Sequence, residues 1–409
     1  MNRREDLTIA ISAVVLTLMA LLIVTLESRL SPPTVTIEPT PMTRLLTDPF
    51  LQLPTTNAVR VVWFTEFAGQ QHTVVYGDRP DTALTDDTAR RVTATTRQLT
   101  RMREDANSRL PIGEPPEFPT FRPIWRHEAE ITDLAPGERL PYRVESVNEN
   151  GGVVQSDVFS LAAAPSPAQP LKILLTSDHQ SKPMAAANLQ KVEETVDAVD
   201  AVFMAGDLVD IPDRASEWFD DAEGAAFFPV LQGRATYSLN NRPYRGGQIL
   251  QRAPLFPAVG NHEVMGRFST VTPLNEQFND PVPRQAAADL YETRPDLFNP
   301  EGRDAIRQQW ILDHSFNTDT YEELFSLPTG EPREGDRPTA TSRYYATTFG
   351  DVRLISLFVT NIWRGPAVRP DIRGRFQERL SDLGNPADWG HGQHIFEPIR
   401  QGSPQYQWL

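Results

Sequence analysis

Cysteine is absent from the 409-residue chain, which excludes disulfide frameworks and thiolate metal ligands. That absence is compatible with either redox compartment and does not locate the protein. Positive charge is also scarce, because 39 Lys and Arg residues stand against 54 Asp and Glu residues, for a formal net charge of −15. A large nucleic-acid-binding surface is not expected from a chain with this balance.

Long apolar runs are equally rare, and the clearest one lies at the N-terminus. Residues 7–26 carry no charge, and about 20 residues at about 1.5 Å rise match the ~30 Å hydrocarbon core of a bilayer. Arg3 and Arg4 precede the run and Arg29 follows it, which predicts a cytoplasmic N-terminus and a single-pass membrane protein with its domains on the extracytoplasmic side. A cleavable signal peptide is the alternative. The residues after the run offer no small-x-small cleavage site, so an uncleaved anchor is favoured.

The rest of the chain shows two kinds of pattern. Short β-rich segments separated by turn residues, such as residues 58–65, predict a β-sandwich. After a Pro- and Ala-rich linker, a strand–helix–strand order over residues 171–205 indicates parallel strands covered by helices. The predicted boundaries are a cytoplasmic tip and transmembrane helix at 1–30, a Pro-rich spacer at 31–44, the β-sandwich at 45–162, the linker at 163–170 and the α/β domain at 171–409.

Two segments do not follow these patterns and are predicted to be insertions. Residues 78–126 are rich in arginine and are interpreted as a solvated loop whose arginines pair with nearby carboxylates, in preference to an anion-attracting arm. The carboxylates concerned are Asp86, Asp87, Glu104 and Asp105. Residues 266–341 are polar and irregular, and no role is predicted for them.

Polar side chains follow three apolar, strand-like segments of the second domain. Asp178 follows ILLTS, Asp207 and Asp210 lie in FMAGDLVD, and Asn261 and His262 lie in PAVGNHE. Because ligands bind beyond the carboxyl ends of parallel strands, these side chains are expected to converge. Carboxylate and amide oxygens beside a histidine suit a divalent or trivalent metal such as Mn, Fe or Zn.

This series of motifs resembles the calcineurin-like metallophosphoesterases. The preceding sandwich and the stretch YYATTFGDVRLISL resemble the arrangement of the purple acid phosphatases, and ITDLAPGERLPYRV within the sandwich is similar to fibronectin type III domains. The resemblance implies a membrane-anchored two-domain protein, with a fibronectin III-like β-sandwich followed by an α/β/β/α metallophosphoesterase sandwich. It also implies two metal ions about 3.5–4 Å apart.

The resemblance assigns metal ligands residue by residue. Asp178 would bind the first metal, Asp207 would bridge both, and Asn261 would bind the second. A hydroxide shared by the metals would attack the phosphorus of a small phosphoester substrate. Gln180 stands where the family usually has a histidine, and strand-like alternation predicts that it shares a side with Asp178 while His179 points away.

The resemblance also assigns the proton chemistry. His262 would lie near the leaving oxygen as general acid, and Asp210 would orient its imidazole. Arg214, close to this motif, is interpreted as a surface residue. His391 and His394 are interpreted as unrelated to the site, since their spacing differs from that of the histidine motif of the family.

The predicted function is metal-dependent phosphoester hydrolysis. No residue after Asn261 matches, in order and spacing, the two histidine motifs that complete the site in the family. The chain is therefore expected to be a fragment, incomplete at its C-terminus, that binds metal weakly and has little activity by itself. The alternative is a cell-surface binding protein with a degenerate, non-catalytic phosphatase-like domain. The sequence predicts no nucleic-acid partner and leaves the oligomeric state open.

Overall fold

The computed structural model describes residues 44–80, 83–85, 89–328, 343–364, 384–385, 394–397 and 399–409. Among these residues, no helix has the length and apolar character needed to cross a bilayer. The predicted transmembrane run, residues 7–26, lies outside the described residues, as do Asp86, Asp87 and His391.

The first part of the described chain is a β-sandwich. Its strands, in chain order, are β1 (Phe50–Gln52), β2 (Val59–Thr65), β3 (Gln71–Tyr76), β4 (Arg90–Thr93), β5 (Thr95–Gln98), β6 (Arg103–Glu104), β7 (Thr120–Phe121), β8 (Trp125–Ile131), β9 (Leu140–Val147), β10 (Val153–Gln155) and β11 (Phe159–Leu161). One sheet has the order β1-β2-β8-β5, and the other has the order β10-β9-β3-β4 with β11 paired to β9. A short β6–β7 pair lies outside both sheets.

Side chains along β2 point alternately into the core of the sandwich and towards the second domain. Val61 and Trp63 point into the core between the two sheets. Phe64, which faces the opposite way, packs 5.1 Å from the ring of Phe219 and 5.3 Å from that of Phe228, both in the second domain. One strand therefore contributes to two hydrophobic cores, as period-2 alternation allows.

The prediction that residues 78–126 form a solvated insertion is wrong. Within the described residues, this segment supplies β4 and β5, one to each sheet, and the β6–β7 pair. Arg101 and Arg103 are buried rather than solvated, and they form ion pairs with Asp319 and Asp213 of the second domain. The arginine pattern therefore marks a domain interface.

The second domain carries the remaining elements. They are β12 (Ile173–Thr176), α1 (Ala185–Val196), β13 (Ala201–Met204), α2 (Ala215–Phe219), α3 (Phe227–Leu231), β14 (Tyr237–Leu239), β15 (Arg242–Tyr244), β16 (Leu255–Pro257), a 3-10 helix (Asn261–Glu263), α4 (Leu274–Phe278), α5 (Arg284–Glu292), α6 (Pro295–Phe298), α7 (Asp304–Asp313), α8 (Asp319–Leu324), β17 (Tyr345–Phe349), β18 (Val352–Ser356), β19 (Thr360–Trp363), β20 (His394–Phe396) and α9 (Pro404–Trp408).

A three-stranded parallel sheet of order β12-β13-β16 forms the centre of this domain. Helix α1 connects β12 to β13 and buries Leu189 in the core, as the predicted strand–helix–strand unit requires. The expected turn at Gly350 and Asp351 joins the antiparallel pair β17–β18. In the described residues, the β17–β18 and β19–β20 pairs are separate two-stranded sheets, so the second full sheet of the predicted α/β/β/α sandwich is not seen there.

Residues 266–341 are more ordered than their polar sequence suggests. Their described part contains helices α4 to α8, and Leu274, Tyr291 and Tyr321 are buried. The hydroxyl of Tyr321 donates to the carbonyl of Pro257 at the end of β16, at 2.7 Å. This segment therefore packs against the edge of the sheet where the candidate site lies.

Candidate active site

The loops that follow β12 and β13 are joined by backbone hydrogen bonds. The amide of Asp178 donates to the carbonyl of Gly206 at 3.1 Å, and the amide of Gln180 donates to that of Leu208 at 3.1 Å. The carboxyl ends of these neighbouring parallel strands thus form one continuous surface, as their topology predicts.

Two glycines allow the loop after β13 (the second loop) and the loop after β16 (the third loop) to approach each other. Gly206 has φ +87°, and a Cβ there would lie 2.7 Å from the amide nitrogen of Gly260. A Cβ on Gly260 would lie 2.2 Å from Oδ1 of Asp207. The glycines of GDLVD and GNHE are therefore required by the close approach of the two backbones.

A buried carboxylate holds these two loops together. The side chain of Glu263 accepts from the amides of Asp207 at 2.9 Å, Leu208 at 2.7 Å and Gly260 at 2.7 Å. Burial raises the pKa of Glu263 to about 7, although the backbone hydrogen bonds oppose that shift. Sequence reasoning missed this role. The available signal was an acidic residue three positions after the glycine that precedes a short helix, which is the position of a capping glutamate.

Several residues of the first two loops adopt left-handed backbone conformations. The φ angles are 54° at Asp178, 44° at Gln180, 51° at Ser181 and 55° at Asp207. Non-glycine residues adopt such conformations at a cost that the surrounding structure must offset, and they cluster at functional sites.

The third loop is fixed by contacts on two sides. Oδ1 of Asp207 accepts from the amide of His262 at 3.1 Å. Nδ2 of Asn261 donates to the carbonyl of Trp363 in β19 at 3.3 Å, which leaves Oδ1 of this amide for another partner. The third loop therefore lies between the second loop and β19.

Arg364 is a second residue that sequence reasoning missed, since no motif surrounds it. It is buried, and it donates to the carbonyls of Asn261, Val264 and Phe278 at 3.1, 2.8 and 2.9 Å. Its guanidinium also lies 3.5 Å from the ring centroid of Phe278. Burial lowers the pKa of Arg364 to about 9, and the negative charge of Asp207 opposes that shift.

The imidazole of His262 is held by a main-chain group. Its Nδ1 lies 2.8 Å from the carbonyl oxygen of Asp210 and 3.5 Å from the carboxylate of the same residue. The prediction that the Asp210 side chain orients His262 therefore needs correction, because the shorter contact is made by the backbone. The ring of Phe278 packs against the imidazole, with centroids 5.1 Å apart.

Gln180 and His179 lie beyond the end of β12, where Asp178 and Gln180 have left-handed φ, so strand-like alternation does not apply to them. Oε1 of Gln180 accepts from Nζ of Lys182 at 2.5 Å. His179 is buried, and its Nε2 lies 3.2 Å from the hydroxyl of Thr176. Burial lowers the pKa of His179 to about 4. His179 is therefore a core residue, while the carbonyl oxygen of Gln180 is engaged by a lysine.

The donor chemistry of the three loops fits a hard metal ion. Asp178, Asp207 and Asn261 supply carboxylate and amide oxygens, and Gln180 could supply a fourth if Lys182 released it. Within the described ranges, however, no group of three His, Asp or Glu side chains lies close enough to hold a metal on its own. By themselves, these residues could supply only part of a ligand set.

Of the two histidines near the C-terminus, His394 lies within the described residues and His391 does not. His394 is buried in β20, where it pairs with Trp363 of β19. His391 lies outside the described residues. Arg214 was interpreted as a surface residue, but it is buried and forms ion pairs with Asp105 and Glu217.

Comparison with protein families identifies the sandwich. The family model for the N-terminal domain of purple acid phosphatases matches residues 47–163. The predicted resemblance to the purple acid phosphatases is thereby confirmed. The match ends where the linker begins and does not include the three loops of the candidate site.

Solved structures show weaker similarity over more of the chain. The purple acid phosphatase PPD1 from yellow lupin (Lupinus luteus) is 16% identical, with a TM-score of 0.43 over 75% of this chain and 43% of the lupin chain. A structure of PhoD is 11% identical, with a TM-score of 0.43 over 91% of this chain and 60% of its own. This chain thus spans less than two thirds of either protein, and at these scores neither establishes a shared fold. No curated protein matches the sequence.

Proposed function

We propose that the chain is a metal-dependent phosphoester hydrolase. The observation that carries the proposal is the joining of the three loops, which brings Asp178, Asp207, Asn261 and His262 to one edge of the parallel sheet. The purple acid phosphatase N-terminal domain at residues 47–163 supports the same reaction class.

The residues of the site would divide the work between binding and proton transfer. Asp178, Asp207 and Asn261 would hold two metal ions through their side-chain oxygen atoms. Bound metal would supply Lewis-acid activation of water and of the phosphoryl group. Nδ1 of His262 donates to the Asp210 carbonyl, so Nε2 of the doubly protonated ring would donate a proton to the leaving oxygen.

A binding protein without catalysis is the alternative, and one observation favours it. Nζ of Lys182 lies against Oε1 of Gln180, so a cation already occupies the oxygen that would replace the usual histidine ligand. A chain that binds phosphate esters without hydrolysing them would retain ligand affinity while showing no turnover with any metal.

Metal analysis and turnover separate these two functions. The full chain would be stripped with a chelator and assayed with p-nitrophenyl phosphate and bis(p-nitrophenyl) phosphate before and after addition of Mn, Fe or Zn. Weak turnover that depends on at least one of these metals is expected, and Asp207→Ala should abolish both metal binding and turnover. A wild-type chain that hydrolyses neither ester with any of the three metals would contradict the proposal.

We further propose that residues 7–26 anchor the protein, with the domains on the extracytoplasmic side. The uncharged length of this run and the preceding Arg3 and Arg4 support this orientation. The full chain should stay with membranes after carbonate extraction and should be digested by protease added outside intact cells. Release by carbonate, or protection from the protease, would contradict this arrangement.

A further inference from the structure

The orientation of His262 depends on a chain of contacts that begins in the first domain. The carbonyl of Asp210 holds the imidazole, so whatever fixes this peptide also fixes the histidine. Oε2 of Glu217 accepts from the amides of Asp210 at 2.7 Å and Ile211 at 2.9 Å. Glu217 is itself buried in α2 and therefore acts as a rigid support for the GDLVD loop.

The next contact crosses to the segment between β6 and β7. Arg214 donates from Nη1 to Oε1 of Glu217 at 2.8 Å and from Nη2 to Oδ1 of Asp105 at 3.1 Å. Nη2 also donates to Oδ1 of Asn275 at 2.5 Å. Asp105 is fully buried, so this ion pair is shielded from water and its geometry is constrained.

A second set of contacts leads from Asp105 to the ring of Phe278, which packs against the imidazole. Its Oδ2 accepts from the amide of Leu274 at 2.7 Å, at the first residue of α4. The same helix ends at Phe278, whose ring packs against His262. One carboxylate therefore contacts both supports of the histidine, the Arg214–Glu217 pair and helix α4.

We propose that Asp105 is a positioning residue for His262, through which the first domain sets the geometry of proton donation in the second. The proposal rests on the function proposed above, because it assigns His262 to the leaving group. Small displacements of a catalytic group lower the rate strongly, by ~10²-fold for about 1 Å. Loss of this support should therefore reduce proton transfer more than substrate binding.

The test compares two substrates that differ in their need for a proton. Phenolate is a poorer leaving group than p-nitrophenolate, so phenyl phosphate depends more on the general acid. In Asp105→Asn, the new side-chain NH₂ faces either Arg214 or the amide of Leu274. Both of these groups are donors, so one of the two supporting hydrogen bonds is lost. We expect kcat for phenyl phosphate to fall ~10-fold or more, and kcat for p-nitrophenyl phosphate to fall less, at unchanged KM and metal content.

Matched variants separate positioning from general damage. Asp319→Asn removes another buried carboxylate that pairs with an arginine of the same segment, Arg101, but it contacts neither Arg214 nor Leu274. It should change both substrates by the same factor. Asn275→Ala removes one part-buried partner of Arg214 and should reproduce the selective loss at smaller size even if Asp105→Asn does not fold. Equal losses with both substrates in Asp105→Asn and Asn275→Ala would overturn the proposal.

A spectroscopic measurement does not require activity. In long-range ¹H–¹⁵N spectra of histidine-labelled protein, Nδ1 of His262 should carry a proton in the wild type, and its signal should change in Asp105→Asn and Asn275→Ala. An unchanged His262 signal in both variants would overturn the positioning role. A changed signal in a chain that hydrolyses no phosphoester would reject the proposed function alone.

Discussion

Asp210 has two groups near His262, its carbonyl and its carboxylate, and substitutions can separate their roles. His262→Ala removes the proposed proton donor and should lower the rate by ~10²–10⁴-fold while metal content is retained. Asp210→Asn preserves the carbonyl at 2.8 Å and changes only the carboxylate at 3.5 Å. Because an exposed ion pair contributes about 0–1 kcal/mol, that variant should lose less than ~5-fold. Steady-state kinetics with metal analysis would check both, and loss of metal from His262→Ala would show that this histidine is a ligand.

Glu263 should contribute to the stability of the fold as well as to the geometry of the site. Replacement by glutamine keeps the size but presents an NH₂ group to amides that now donate to a carboxylate. We expect Glu263→Gln to lower the free energy of unfolding by ~1–3 kcal/mol, the cost of unsatisfied buried polar groups. The control is Glu301→Gln, whose side chain is 69% exposed and which should change stability by less than ~0.5 kcal/mol. Urea unfolding measures both, and equal midpoints would contradict the role of Glu263.

Motifs located the three loops that lie side by side but not the residues that hold these loops together. Asp178, Asp207 and Asn261 could be found because each follows an apolar strand and carries a side chain with recognisable chemistry. Glu217 binds backbone amides six and seven residues away, and Arg364 binds carbonyls 86 to 103 residues away. Such contacts have no fixed spacing along the chain, so single-sequence reasoning has no pattern with which to detect them.

The strands β3 and β8 place two histidines in the interior of the sandwich. The rings of His72 and His127 stack with centroids 3.6 Å apart. His127 bonds to the hydroxyls of Thr65 at 2.8 Å and Thr96 at 2.9 Å. Burial, followed by the positive charges of His72 and Arg126, lowers the pKa of His127 from 6.5 to about 2. The folded sandwich therefore requires a neutral imidazole at this position.

This arrangement predicts acid sensitivity of the sandwich. Between pH 6.5 and about 2 the unfolded chain protonates His127 and the folded chain does not, so stability is lost as the pH falls. His127 alone should contribute a slope of about 1.4 kcal/mol per pH unit. His127→Gln should remove that contribution from urea unfolding measured between pH 6 and 4. Thr96→Val loses a hydrogen bond but no titrating group, so it should keep the same slope of stability against pH. An unchanged slope in His127→Gln would exclude His127 as the cause of the acid sensitivity.

The helices and strands of the two domains were predicted where hydrophobic periodicity was strong, as in β2, β12 and α1. The prediction failed at residues 78–126, because arginine in a polar stretch is usually solvated. Arg101 and Arg103 are buried only because Asp319 and Asp213 reach them from another domain. Partners so far away along the chain leave no local signature.

At the scale of the whole molecule, buried ion pairs join the two domains. Asp213 is 1% exposed, and Arg103 pairs with it at 2.6 Å. Arg103→Met leaves that carboxylate without its cation and should cost ~3–5 kcal/mol in the free energy of unfolding. Urea unfolding would measure the loss, and the exposed Arg303→Met should cost only about 0–1 kcal/mol. Adding Asp213→Leu to Arg103→Met should recover part of the lost free energy of unfolding. An Arg103→Met variant as stable as wild type would contradict the role of this pair.

The long sequence separation of these contacts also sets the order of events during synthesis. Arg101 and Asp319 are 218 residues apart, and Gln52 and Ser326 are 274 residues apart. At ~5–20 residues per second, a ribosome needs about 10–45 s to deliver Asp319 after Arg101 has emerged. Until then Arg101 has water in place of Asp319, so this part of the sandwich surface stays hydrated until the second domain is complete. The nascent chain is therefore most exposed to proteases and chaperones at the surface that is best protected in the finished protein.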